Sequence, residues 1–262
     1  KIICYTDNIN KFYLNKYRYM KLEIHLNEER WYFNQKWIKS YFSFSYADYH
    51  NHKRPCFWKL LVLNEDHIQA ENGFPPRPHK DMEIISIPLE GELYHEDSFE
   101  NEETVKKGGV QTISAGSWIS HSEVNKHPEQ ELQVLHIWIE SENHRGTPLY
   151  ANKKYFKKDR INTWQILASW DVEDDCNFIH QDAYISRIQL NTREAVPYIK
   201  RNKNHWVYFF VIEWWFKFEW NKIWKKDAMW IVNDENEISI LGNTWENDIL
   251  AIEVPMTIKA ED

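Results

Sequence analysis

Glycine is scarce in this chain: seven residues in 262, five of them between Gly73 and Gly116, with only Gly146 and Gly242 beyond. A strand-rich chain needs positive φ in its hairpins, and glycine reaches that region without steric cost. The turn around Glu219-Trp220-Asn221-Lys222 offers asparagine but no glycine. A left-handed Trp220 or Lys222 there costs about 1–2 kcal/mol, so the second half is expected to be less firmly specified than the first. Cysteine is sparse too. Cys4, Cys56 and Cys176 are far apart, form no CxxC pair and leave one over. That pattern excludes a disulfide framework and predicts three unpaired thiols in a reducing, cytoplasmic setting. Long apolar runs are absent: the longest, Trp206 to Ile212, is far short of the ~20 residues of a membrane helix. No membrane contact is expected. Positive charge is also short, at a net −8, which argues against a nucleic-acid backbone as partner. The clusters Lys153-Lys154 and Lys157-Lys158 are short, sit beside loop-like sequence and read as solvated surface.

What the chain has is aromatic residues, with 14 Trp, 14 Tyr and 13 Phe, most of the tryptophans expected in the core. It also has many short strand-like runs. Leu60-Leu-Val-Leu63, Glu83 to Gly91, Val110-Gln-Thr-Ile113 and Leu132 to Ile139 are four to nine residues long and separated by turn-forming residues. No segment keeps a 3.6-residue apolar period, so the rhythm predicts a β-sandwich or barrel. A polar stretch from Ser141 to Arg160 interrupts it, and the rhythm resumes from Trp164 to Val254. Two halves with one rhythm indicate a duplicated fold. The expected division is an N-terminal extension or leader over 1–19, a first domain over 20–145 and a second over 146–262. The window Val207–Ile212 is an aggregation hazard if exposed.

Two segments carry chemistry. The first is Gly73-Phe-Pro-Pro-Arg77-Pro-His79-Lys-Asp-Met-Glu83, closing at Gly91. The second is Ser114-Ala-Gly116, leading into His121-Ser-Glu123-Val-Asn125. Residues i and i+2 of a strand share a face, so His121 and Glu123 project together, as do Arg77 and His79. Two such strands facing each other bring His79, His121 and Glu123 to one point. Two histidines and a carboxylate suit a non-haem divalent metal with open positions. The bland alternative is a set of imidazoles satisfied by backbone carbonyls.

With these residues in view, the chain resembles the pirin family of bicupins. The resemblance rests on Phe44-Ser-Tyr46-Ala-Asp48-Tyr49, on Gly73-Phe74 through His79-Lys-Asp-Met-Glu83, on Leu89-Glu-Gly91, and on Ser114-Ala-Gly116 through His121-Ser-Glu123-Val-Asn125. It spans Met20 to Pro255 and is weaker in the second half, where Ile179-His-Gln-Asp182 and Ile252-Glu-Val-Pro255 echo it. It implies an all-β bicupin, two jelly-roll β-barrels packed together, with one metal site in the first and none in the second. Carried over by position, the metal ligands are His79, His121 and Glu123, with Glu123 also able to accept a substrate proton and Glu83 behind the site. Relatives of this kind are described as iron-binding nuclear co-regulators and as quercetin 2,3-dioxygenases. The implied cofactor is one divalent metal ion, iron first, with nickel, manganese, cobalt, copper or zinc also admitted. The implied partner is a small flavonol-like substrate.

Arg77 stands where the resemblance calls for a fourth ligand, and a guanidinium stays protonated and cannot ligate a metal. At ~6 Å and an effective dielectric of ~20 it opposes a divalent ion by roughly 5 kcal/mol. Either it turns to solvent and leaves a three-ligand centre, or it swings onto Glu123 and fills the centre without metal. Trp118, where the pattern has glycine, either narrows the mouth of the centre or sits exposed in a turn. Two functions follow: a quercetinase-type oxidoreductase, or a non-catalytic binding and regulatory protein with a metal-free pocket and a protein partner. A sugar-binding cupin stays open beside them. A monomer is expected, since two packed domains already form an internal pair.

Overall fold

Alternation of period two organises the long strands. In Leu132–Glu140, Leu135, Ile137 and Ile139 enter a core shared by both halves, while Val134, His136 and Trp138 turn to the opposite face. The computed structural model describes residues 21–232, 235–243 and 245–256, and the extension expected over 1–19 lies outside the described residues. Among these, helix is confined to two short 3-10 turns, Asn27–Glu29 and Lys157–Arg160.

Each half pairs a seven-stranded sheet with a four-stranded one. In the first half the large sheet runs, in spatial order, Leu149–Lys154, Gly109–Ser114, Met82–Glu90, Leu132–Glu140, Leu60–Ile68, Ile38–Phe42 and Trp31–Gln35. The small sheet runs Asn72–His79, Ile119–Asn125, Glu92–Asp97 and Glu102–Lys106. The second half repeats the plan. Its large sheet is built around His205–Glu213, Asn247–Pro255 and Tyr184–Leu190, and its small sheet holds Ala195–Ile199, Glu237–Leu241, Trp215–Phe218 and Asn221–Trp224. This is the expected bicupin, two jelly rolls packed together.

The halves are knitted more closely than a cut at 145/146 describes. Lys21–His25 pairs with Ala228–Val232 in the second half's sheet, and Leu149–Lys154 pairs with Gly109–Ser114 in the first half's. The two large sheets share one core, in which Phe44, Leu63, Ile85 and Ile137 meet Ile185, Tyr208, Phe210 and Ile252. Fully burying such a side chain contributes about 1.5–3 kcal/mol, so this seam is a main source of stability. Glu65 crosses it, with Lys226 Nζ at 2.7 Å and Arg30 Nη1 at 3.2 Å.

The two interiors differ in kind. The second half is filled by the apolar cluster of Ile188, Leu190, Val207, Phe209, Phe216, Met229 and Ile240. In the first half two apolar plugs, one around Ile68, Leu93 and Val134 and one around Ile84, Ile113 and Ile119, enclose a polar middle.

Several local expectations need correcting. In the glycine-free turn Glu219 takes the left-handed conformation (φ 52°), not Trp220 or Lys222, and Trp214 (63°) and Lys226 (69°) are left-handed as well. Val207–Ile212 is buried between two neighbouring strands, so its apolar run is spent on the core. The tryptophans do not mainly fill the core: Trp31, Trp170, Trp214, Trp220, Trp224 and Trp245 are all exposed. Cys56 is disulfide-bonded and Cys176 is free, so the three-thiol expectation fails. No helix among the described residues is long and apolar enough to cross a membrane.

Candidate metal centre

The polar middle is built by the edge of the small sheet. Asn72–His79 is an edge strand, which is why it tolerates Pro75, Pro76 and Pro78 without losing ladder hydrogen bonds. It runs antiparallel to Ile119–Asn125, with Arg77 opposite His121 and His79 opposite Ile119. A bulge between His121 and Glu123 sets Glu123 opposite Phe74, and the neighbouring strand places His95 opposite Glu123. The approach at Gly73 is so close that a Cβ there would lie 2.4 Å from the Glu123 carbonyl oxygen.

His79 and His121 come together as expected, their ring centroids 4.9 Å apart. Trp138 stands 5.0 Å from His79, and His95 lies 5.5 Å from His121. Nε2 of His79 and both ring nitrogens of His121 are enclosed without a protein partner. Burial, then the charge of Arg77, pushes the His79 imidazole down to about 4. Burial likewise takes His121 down to about 3, with Arg77, His79 and His95 adding to the effect. Both rings are therefore neutral at physiological pH and keep free lone pairs.

Glu123 is fully buried, and its carboxylate is spoken for. Oε2 accepts from Arg77 Nη2 at 2.8 Å, and Oε1 accepts from Ser86 Oγ at 2.6 Å and Gln111 Nε2 at 3.1 Å. His136 Nε2 stands 3.4 Å from Oε2, while its Nδ1 bonds Asp66 Oδ2 at 2.6 Å. Burial alone would raise the Glu123 carboxyl and lower the His136 ring, but their mutual attraction wins. Glu123 is held well below the usual carboxylate range, chiefly by His136, with help from His121 and Arg77. His136 rises to about 9 under the pull of Glu123 and Asp66. Two carboxylates, Asp66 and Glu123, thus face two cations, Arg77 and His136, and the centre is electrically balanced. The Arg77 guanidinium also lies over the Phe74 ring at 4.0 Å, which fixes its inward pose.

Of the two courses open to Arg77, the structure shows the inward one. Among the described residues no three histidine, cysteine or acidic side chains stand so as to hold a metal ion. The two imidazoles fit such an ion by their free nitrogens; Glu123 fits only when Arg77 releases it. Glu83 does not back the centre in the expected way, because its two oxygens take the hydroxyls of Ser114 and Ser141 and so fasten the turns flanking the site. Trp118 is exposed in the turn that precedes Ile119–Asn125. The sequence reading missed His136, Asp66, Ser86, Gln111 and His95. Strand parity was the available signal: Asn64 and Asp66, Ser86, and His136 fall on the inner faces of their strands, where a core should be apolar.

Fold and centre together define a bicupin whose first jelly roll encloses a polar, histidine-bearing centre. Residues 25–139 match the family model described as Pirin, and residues 166–254 that of the quercetinase C-terminal cupin domain. A quercetin 2,3-dioxygenase of Escherichia coli K12 is 36% identical over 180 residues, covering 68% of this chain and 77% of that protein. A pirin-like protein of Caulobacter vibrioides is 37% identical over 163 residues, covering 62% and 70%. The crystal structure of a bacterial pirin from Escherichia coli in complex with nickel(II) superposes with a TM-score of 0.83 at 31% identity, covering 90% of this chain and all of the other. The chain belongs to the pirin family.

Proposed function

We propose that this protein is a pirin-type bicupin that takes one divalent metal on His79, His121 and Glu123, and that its chemistry is dioxygenation of a flavonol-like substrate. The observation that carries this reading is the pair of neutral imidazoles, half-buried His79 and buried His121, whose enclosed nitrogens (Nε2 of His79, both of His121) have no protein partner, beside the buried Glu123 carboxylate. The nickel-bound pirin and the relatives named quercetin 2,3-dioxygenase support the same assignment. Iron is the first candidate, and the donor set also admits nickel, manganese, cobalt, copper and zinc.

Once bound, the metal would bring substrate and dioxygen together and offset developing negative charge. The chain's own residues do the rest. Glu123, freed from Arg77, receives the substrate hydroxyl proton at Oε2, while Ser86 and Gln111 keep Oε1 in place. His136, anchored by Asp66, steadies the carboxylate from behind. Phe74 and Trp138 wall the centre with apolar surface. Metal binding here requires the release of Glu123 by Arg77, since the guanidinium and a divalent ion compete for one carboxylate.

That 2.8 Å ion pair favours a second reading, a binding or regulatory protein whose pocket is closed by Arg77. Reconstitution of the purified chain with iron, nickel, manganese or zinc, followed by elemental analysis, separates the two. Near-stoichiometric metal supports the first. Metal well below one ion per chain with every candidate defeats it and leaves the second.

A further inference from the structure

Two buried arginines, Arg160 and Arg187, lie near one carboxylate, Asp248, in the second half, and only Arg187 bonds it. Arg187 Nε and Nη2 donate to Asp248 Oδ1 and Oδ2, each at 2.7 Å, so both oxygens are engaged by one partner. Arg160 ends the turn Lys157–Arg160, and the next residue bridges to Gln189, two positions from Arg187 on the same face. Arg160 is only 6% exposed. It makes no hydrogen bond or ion pair among the described residues, and its Nε is enclosed without an acceptor. Burial, then the charge of Arg187, pushes it down to about 10, which leaves it protonated at neutral pH. The cluster therefore buries one positive charge more than it neutralises. Burying an ion without a counter-charge is costly, and an apolar side chain of similar volume would be cheaper. In the same turn Lys157 Nζ is taken by Glu246 at 2.6 Å and Asp159 offsets Lys158, so the turn supplies Arg160 with no net charge of either sign. The basic run that reads as plain solvated surface thus leads to a buried cation.

We propose that Arg160, with the Arg187–Asp248 pair behind it, is a binding site for a small oxyanion, a phosphate, a sulfate or a carboxylate. The planar fork of a guanidinium matches two oxygens of such a group at once. Gln165, cross-strand from Arg187, has an amide oxygen enclosed without a partner, and rotation of that amide supplies a further donor. The site lies in the half whose interior is apolar, and it is independent of the metal centre.

Thermal unfolding of the whole chain tests this, in phosphate, sulfate or acetate at ionic strength matched with sodium chloride. The expected result is a saturable rise in Tm, roughly 5–10 °C at ~100 times Kd, that disappears in Arg160→Met. General salt exclusion acts on both proteins alike, so equal responses overturn the proposal, as does a wild type with no saturable rise. A response to phosphate and sulfate alone assigns a tetrahedral anion, and an equal response to acetate assigns a carboxylate. If Arg160→Met does not fold, Arg160→Lys keeps the charge and loses the fork. An apparent Kd weakened several-fold then supports the site, and an unchanged one overturns it.

Discussion

Replacing Glu219 by glycine should stabilise this protein. Glu219 is exposed, sits in the turn between Trp215–Phe218 and Asn221–Trp224, and holds φ at 52°. A side chain in that region costs about 1–2 kcal/mol. Glycine removes this strain but gives the unfolded chain more freedom, which returns about 0.4–1 kcal/mol. The net gain is about 0.5–1 kcal/mol. With a urea slope of ~3 kcal/mol/M, the midpoint should rise by about 0.2–0.3 M. Glu219→Ala is the control: it removes the carboxylate, keeps the Cβ, and should leave the midpoint where it is. Glu219→Asn should fall between the two, since asparagine tolerates the left-handed region. A glycine variant no more stable than the alanine variant would refute the reasoning and show that the turn relaxes without cost.

Three further outcomes are expected. Trp214→Gly relieves the same kind of strain but loses the stack of Trp214 on Trp245 at 5.2 Å, so urea titration should show a smaller gain than for Glu219→Gly. Lys226→Met takes from Glu65 a partner at 2.7 Å while Arg30 and Gln133 remain, so the loss should be about 1–3 kcal/mol, below the 3–5 of a fully stripped buried pair; an unchanged midpoint would mean the ion pair across the seam contributes nothing. The pH profile of stability should peak near 6.5. His79 and His121 stay neutral in the fold down to about 4 and 3, so their contribution is present above 6.5 and lost as pH falls below it. His136 works the other way: its contribution is full below 6.5 and lost as pH rises through about 9. A midpoint that is flat from pH 4 to 9 would contradict both.

Much of the fold was legible because its signals are local. The alternation in Leu132–Ile139 and the turn glycines Gly91 and Gly116 predict short strands with sharp corners, and both glycines hold positive φ. The meeting of His79 with His121 follows from two-residue spacing on paired strands. What was hidden depends on distant partners. Nothing in the sequence of Lys21–His25 says that it pairs with Ala228–Val232 some two hundred residues away. The direction of Arg77 turns on the pull of Glu123 and the ring of Phe74, contacts that only the assembled strands create. In the sequence His136 is the one polar residue of the apolar run from Val134 to Ile139. Its importance comes from standing between Asp66 and Glu123, which burial turns into strong mutual charge stabilisation. The glycine-poor turn was recognised, but which residue takes the strain depends on hairpin register.

In the proposed function Arg77 competes with a metal for Glu123. Calorimetric titration of nickel(II) into the wild type and Arg77→His tests it most directly. Histidine at position 77 removes a charge that opposes a divalent ion by roughly 5 kcal/mol and adds a donor beside His79 and His121. The variant should bind at least tenfold more tightly, a difference of about 1.4 kcal/mol or more, with one ion per chain. Equal affinity for the two proteins would mean that Arg77 does not guard the carboxylate.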